Sequence, residues 1–107
     1  MKYGLSDSVL EQLRGVFRAF PEIEEVVLYG SRAMGNFKPS SDIDLALMGD
    51  LDVATLSKIN WSLDDLMLPY KMDTSIRSHI RQPELLDHIL RVGVPIYKKG
   101  AVVLGPR

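Results

Sequence analysis

The chain has 107 residues, 46% of them apolar and 25% charged, with a formal net charge of −1 and no cysteine. That length accommodates a single domain with a modest core, and the composition is that of an ordinary globular protein. The near-neutral charge argues against a general nucleic-acid or membrane-surface binder, and the missing cysteines exclude disulfides, thiolate zinc sites and a cysteine nucleophile. Neither a signal-peptide core nor a run of transmembrane length is present, so a cytoplasmic location is expected.

In chain order, residues 7–20 predict a helix, because Val9, Leu10, Leu13, Val16, Phe17 and Phe20 recur at helical spacing. Ser6 or Ser8 is placed to cap it, Ser8 with Glu11 fits a capping box, and Pro21 stops it. Residues 25–29 (EVVLY) predict a buried strand, and SRAMG after it is long enough for one helical turn. Residues 36–41 (NFKPSS) carry turn chemistry. Residues 42–48 (DIDLALM) read as a second strand, with Asp42 and Asp44 on one face and Ile43 and Leu45 on the other. Residues 53–67 predict an amphipathic helix through Val53, Leu56, Ile59, Leu63 and Leu66. Residues 70–76 read as a third strand, starting after Pro69. Pro83 suits the first turn of a last helix with Leu85, Leu86 and Ile89 inward, and Gly93 suits its end. Residues 94–97 suit a final short strand. The order αβ(α)βαβαβ implies an α/β (α+β) domain over residues 1–100, a small mixed β-sheet flanked by helices. Residues 101–107 read as a tail.

The chemistry is concentrated in residues 30–45, GSRAMGNFKPSSDIDL. Gly30 at a strand end allows a sharp turn and close approach of a ligand to the backbone. Ser31 then opens a helical turn whose free N–H groups suit phosphate oxygens. Asp42 and Asp44 follow, and two carboxylates a few ångströms apart repel by about 1 kcal/mol in water and ~4 kcal/mol at intermediate dielectric. A bound cation resolves that repulsion. All-oxygen ligands favour Mg²⁺ or Mn²⁺ over zinc. A phosphate-binding turn facing such a pair is equipment for phosphoryl or nucleotidyl transfer. A GS after a strand or a DxD alone is a common turn or solvated strand end; their joint spacing carries the signal. Gly30 and Gly35 superficially fit a P-loop, but Asn36-Phe37 replaces its Lys-Ser/Thr.

Gly30-Ser31, ten residues, then Asp42-Ile43-Asp44 resembles the signature of the DNA polymerase β-type nucleotidyltransferase superfamily. GSRA and SDIDLAL resemble its minimal nucleotidyltransferase (MNT) group over essentially the whole chain. The resemblance implies that Asp42 and Asp44 hold the metals, with Asp73, on the next core strand, completing the site and helping to deprotonate an acceptor hydroxyl. Gly30 and Ser31 would cradle the β- and γ-phosphates of ATP or another nucleoside triphosphate. Arg32 would lend charge, and Ser41 would either contact phosphate or orient Asp42. Reaction would be in-line attack on the α-phosphate with release of pyrophosphate. Many relatives carry a basic residue where Met34 stands, a departure that bears on rate more than on binding.

The family implies a HEPN-type helical protein as partner in a toxin–antitoxin pair, with AMP transferred to its hydroxyl. A non-catalytic, nucleotide-binding antitoxin acting by contact is a second reading. The catalytic subunit of a small-molecule (antibiotic) nucleotidyltransferase is a third, disfavoured because 107 residues leave none for an acceptor-binding domain. Homo- or hetero-oligomeric assembly stays open. Trp61, off the apolar stripe, is peripheral core or an interface anchor. The Met and Leu residues at 66–68 are candidate contacts, and Arg77, Arg81 and Arg91 a solvated or partner-facing patch. His79 and His88 read as surface residues. The Arg81–His88 spacing resembles that of HEPN ribonucleases by coincidence, lacking their helical bundle.

Overall fold

The computed structural model describes residues 1–100; the expected tail, 101–107, lies outside them. Helix α1, Asp7–Arg18, begins at Ser6, whose hydroxyl accepts the Val9 N–H. That choice settles the cap on Ser6. Ser8 lies inside the helix and accepts from the Gln12 side chain, so the Ser8–Glu11 box is not formed. Leu10, Leu13 and Phe17 are buried along one stripe of α1, as the periodicity predicts.

Strand β1, Ile23–Tyr29, leads directly into the short helix α2, Gly30–Met34. Strand β2 is Ile43–Gly49, helix α3 Val53–Asp64 and strand β3 Met72–Ile76. A 3-10 turn, Arg77–His79, helix α4, Pro83–Val92, and strand β4, Val94–Lys98, complete the order. The sheet runs β3-β2-β1-β4, with β2 and β3 parallel and β1 antiparallel to both its neighbours. It is the small mixed sheet expected. Helix α3 makes the crossover between the parallel pair, as such pairs require.

Alternation along the strands divides the apolar residues between two faces. Leu28, Ile43, Leu45 and Leu47 pack with α1 and α3 in the main core, which also contains Leu5, Ile59, Leu63 and Ile96. Val27, Tyr29 and Ala46 point the other way and pack with Ile89 of α4. The candidate site residues Asp44 and Asp73 sit on this second face.

Three sequence expectations shift. The helix expected over 53–67 ends at Asp64, because Met67 adopts a left-handed φ of 57°. Leu66 and Leu68 then pack on the core from a loop, which prolongs the apolar pattern beyond the helix, while Met67 is exposed. Val53, placed on the inward stripe, is exposed in the first turn; Trp61, 77% exposed, is not part of the core. Gly93 does cap α4, in extended rather than left-handed backbone. Its glycine is required by space, since a Cβ there would collide with the Ile89 carbonyl and Val27.

Candidate nucleotide-transfer site

The site is built where β1 ends and β2 begins. Tyr29, Asp44 and Asp73 are direct partners across β1, β2 and β3, so their side chains rise from one face of three neighbouring strands. Gly30 turns the chain out of β1 with φ 77°, in the region that favours glycine. A Cβ at Gly30 would overlap the Asp44 carboxylate, so that carboxylate rests directly on the glycine backbone. Ser31 follows in the first turn of α2, half-buried beside it.

Crowding leaves an electrostatic mark. Burial raises the Asp44 pKa above the ordinary carboxylate value, and the negative charges of Asp73 and Asp42 raise it further. Burial also raises the Tyr29 phenol, against a hydrogen bond from Ser75 and with help from Asp73 and Asp44. Asp44 is thus destabilised as an anion in the protein alone. A cation placed against the three aspartates would relieve that cost.

Asp42 differs from the expectation in one respect. The strand begins at Ile43, whose N–H donates to the Lys71 carbonyl at 2.9 Å, and Asp42 stands just before it, exposed. The turn before it is closed by the Ser41 N–H on the Lys38 carbonyl and by the Lys38 N–H on the Ser41 hydroxyl. Ser41 therefore shapes the loop that delivers Asp42. Asp73 is exposed on the edge strand β3. Among the described residues, no three His, Cys, Asp or Glu side chains converge closely enough to hold a metal ion unaided. The all-oxygen donor set and the strained Asp44 nonetheless suit Mg²⁺, which usually takes one or two carboxylates and fills its shell with water and substrate phosphates.

Arg32 is not directed at a ligand. It is 1% exposed, and its guanidinium donates to the backbone carbonyls of Tyr3, Pro39 and Ser41 at 2.9–3.1 Å. Phe37 and Tyr70 lie within 5.3 and 5.0 Å of it. Its planar fork ties the N-terminal segment to the 36–41 loop, so the positive charge expected near the nucleotide holds the scaffold under Asp42 instead. Met34, 49% exposed at the end of α2, offers no charge.

His88, expected on the surface, is half-buried and faces the turn. Its Nε2 accepts the Gly30 N–H at 3.1 Å, and its ring meets Tyr29 edge-on at 6.1 Å. The only sequence signal was a histidine on α4 beside inward Leu85 and Ile89, which cannot reveal a partner 58 residues away. His79 is exposed, as expected. Arg91 pairs with Asp87 at 2.7 Å on the surface of α4.

A glycine turn under a row of carboxylates on a small mixed sheet defines a nucleotidyltransferase-type domain. Residues 11–101 match the family model described as polymerase beta, nucleotidyltransferase. The chain belongs to that family. A chain of a toxin–antitoxin crystal structure with AMP-PNP is similar at a TM-score of 0.68 and 18% identity, covering 87% of this chain and 76% of that one. A chain of the MntA–HepT toxin–antitoxin structure gives 0.64 and 15%, covering 91% and 76%. The third comes from a tri-AMPylated Shewanella oneidensis HEPN toxin in complex with an MNT antitoxin, at 0.66 and 14%, covering 94% and 78%. At these identities the likeness is one of fold. No curated protein matches the chain in sequence. Among the described residues no helix is long and apolar enough to cross a membrane.

Proposed function

We propose that this chain binds a magnesium nucleoside triphosphate and transfers its nucleotidyl group, AMP from ATP, to a hydroxyl of a HEPN-type partner, as the antitoxin of a toxin–antitoxin pair. The observation that carries the reading is the juxtaposition of Asp44 with Asp73 on one side and the Gly30 turn on the other. Membership of the nucleotidyltransferase family supports it, as does the AMPylated toxin bound to a similarly folded antitoxin.

In this reading Asp42 and Asp44 hold the Mg²⁺, with Asp73 completing the set. The ion, when bound, would offset the phosphate charge and favour ionisation of the attacking hydroxyl. Ser31 presents its backbone N–H and its hydroxyl to the β- and γ-phosphates, and Gly30, without a side chain, lets them approach the turn closely. Asp73, exposed on the edge strand, accepts the proton of the partner hydroxyl as its oxygen attacks the α-phosphorus. The bond from the α-phosphorus to the bridging oxygen breaks, and pyrophosphate leaves. Because Asp73 faces outward, the acceptor approaches from the β3 side. Location in the cytoplasm, where ATP and Mg²⁺ are abundant, belongs to the same proposal.

Met34 favours one competing reading, a nucleotide-bound antitoxin that acts by contact alone, because it presents an apolar side chain at the end of the turn. Transfer of label from α-labelled ATP to a co-expressed HEPN-type partner separates the two. Labelling that disappears in Asp42→Asn and Asp44→Asn supports catalysis. A partner that stays unlabelled by wild type, yet is neutralised equally by both variants, supports contact.

A further inference from the structure

The Gly30 amide is the first N–H of α2, at the point where the chain leaves β1. It is directed at Nε2 of His88 on α4, a residue brought to it only by tertiary packing. A backbone N–H can only donate, so Nε2 is the bare ring nitrogen and the proton of the neutral imidazole sits on Nδ1. The Tyr29 ring packs edge-on to the imidazole, with the centroids 6.1 Å apart.

Such a restraint has a clear physical use here. A glycine peptide is soft on both sides of φ = 0, and rotation at Gly30 would carry the Ser31 amide away from its present direction. It would also move the backbone on which the Asp44 carboxylate rests. Neither neighbour of Gly30 in sequence supplies an acceptor that would prevent this; α4 does.

We infer that His88 is a positioning residue: by accepting the Gly30 N–H as its Nδ1–H tautomer, it locks the Gly30–Ser31 turn for a phosphate-bearing ligand. The role rests on the reading of the turn given under Proposed function. It depends on the acceptor nitrogen, not on the charge or bulk of the ring, and this makes it separable from packing.

The test uses the intact chain, with Mg²⁺·AMP-PNP as the probe. His88→Leu keeps apolar bulk and removes the acceptor, whereas His88→Gln places an amide oxygen where Nε2 stands. Gly30 amide exchange and Mg²⁺·AMP-PNP affinity are measured in each. The expected result is a protected Gly30 amide in wild type and His88→Gln and loss of protection in His88→Leu. Affinity should fall about tenfold in His88→Leu and largely recover in His88→Gln. Wild-type affinity in His88→Leu would overturn the inference, as would equal losses in both variants. If His88→Leu fails to fold, imidazole ¹⁵N shifts of the wild type decide, and a protonated Nε2 overturns the inference. A protected Gly30 amide in a wild type that binds no nucleotide would instead refute the ligand reading of the turn, leaving the hydrogen bond intact.

Discussion

The carboxylate of Asp44 lies directly against Gly30, so closely that no side chain fits between them. One position thus joins the phosphate-facing turn to the metal-facing strand, and a methyl group there disturbs both. Gly30→Ala should cost about 1–2 kcal/mol of stability, because alanine must adopt a left-handed φ. It should also abolish Mg²⁺·AMP-PNP binding by displacing Asp44. Urea unfolding and calorimetric titration measure the two effects separately.

Asp44 should trade stability for binding. Its folded pKa is raised by burial, Asp73 and Asp42. The native state therefore keeps the Asp44 proton at pH values where the unfolded chain has lost it. Stability from this group consequently falls as pH rises from the unfolded value, about 4, through the folded one. Asp44→Asn should raise Tm at neutral pH and give little gain near pH 3. Adding Mg²⁺ and nucleotide should stabilise the wild type and leave Asp44→Asn unmoved. Thermal melts across pH check both halves.

Arg32 should behave as a scaffold residue. Lysine cannot reproduce its fork onto three carbonyl groups, so Arg32→Lys should lose about 2 kcal/mol or more of stability. Loss of nucleotide affinity with unchanged unfolding would point back to a direct phosphate contact. Denaturant midpoints beside binding isotherms distinguish the outcomes.

Asp52 caps α3, its side chain accepting the Thr55 N–H at 2.8 Å, and hydrogen bonds to Thr55 hold its pKa below the ordinary value. The contribution of this ion is complete above its unfolded pKa and is lost as pH falls through the lower folded one. Asp52→Asn keeps the neutral capping bond. It should narrow the stability difference between neutral and strongly acidic solution, as measured by acid-dependent melts.

What the sequence discloses follows the range of the interactions. The stripe of α1 and the order of elements are local and periodic, and both are present in the structure. The Gly30-to-Asp44 spacing survives folding as a contact because β1 and β2 pair in antiparallel fashion across the short α2 connection. Asp73 was reachable through the family resemblance, and in the structure it is the register partner of Asp44 on the neighbouring strand. Arg32 and His88 were misjudged for the opposite reason. The former is defined by carbonyls from as far away as Tyr3, and the latter by an amide 58 residues off. A residue type announces charge or a lone pair, but only the packed chain decides what receives it. Leu66 misleads more simply: a loop residue that packs on the core mimics the continuation of a helical stripe, and Leu68, read as a partner contact, packs on the core as well.

The most direct test of the central claim compares ATP labelled on the α-phosphorus with ATP labelled on the γ-phosphorus, in the presence of Mg²⁺ and a HEPN-type partner. Nucleotidyl transfer through Asp42, Asp44 and Asp73 predicts that the partner acquires the α-label, that pyrophosphate carries away the γ-label, and that Asp73→Asn greatly slows both. Partner labelling from the γ-position, or α-labelling undiminished in Asp44→Asn, would contradict it.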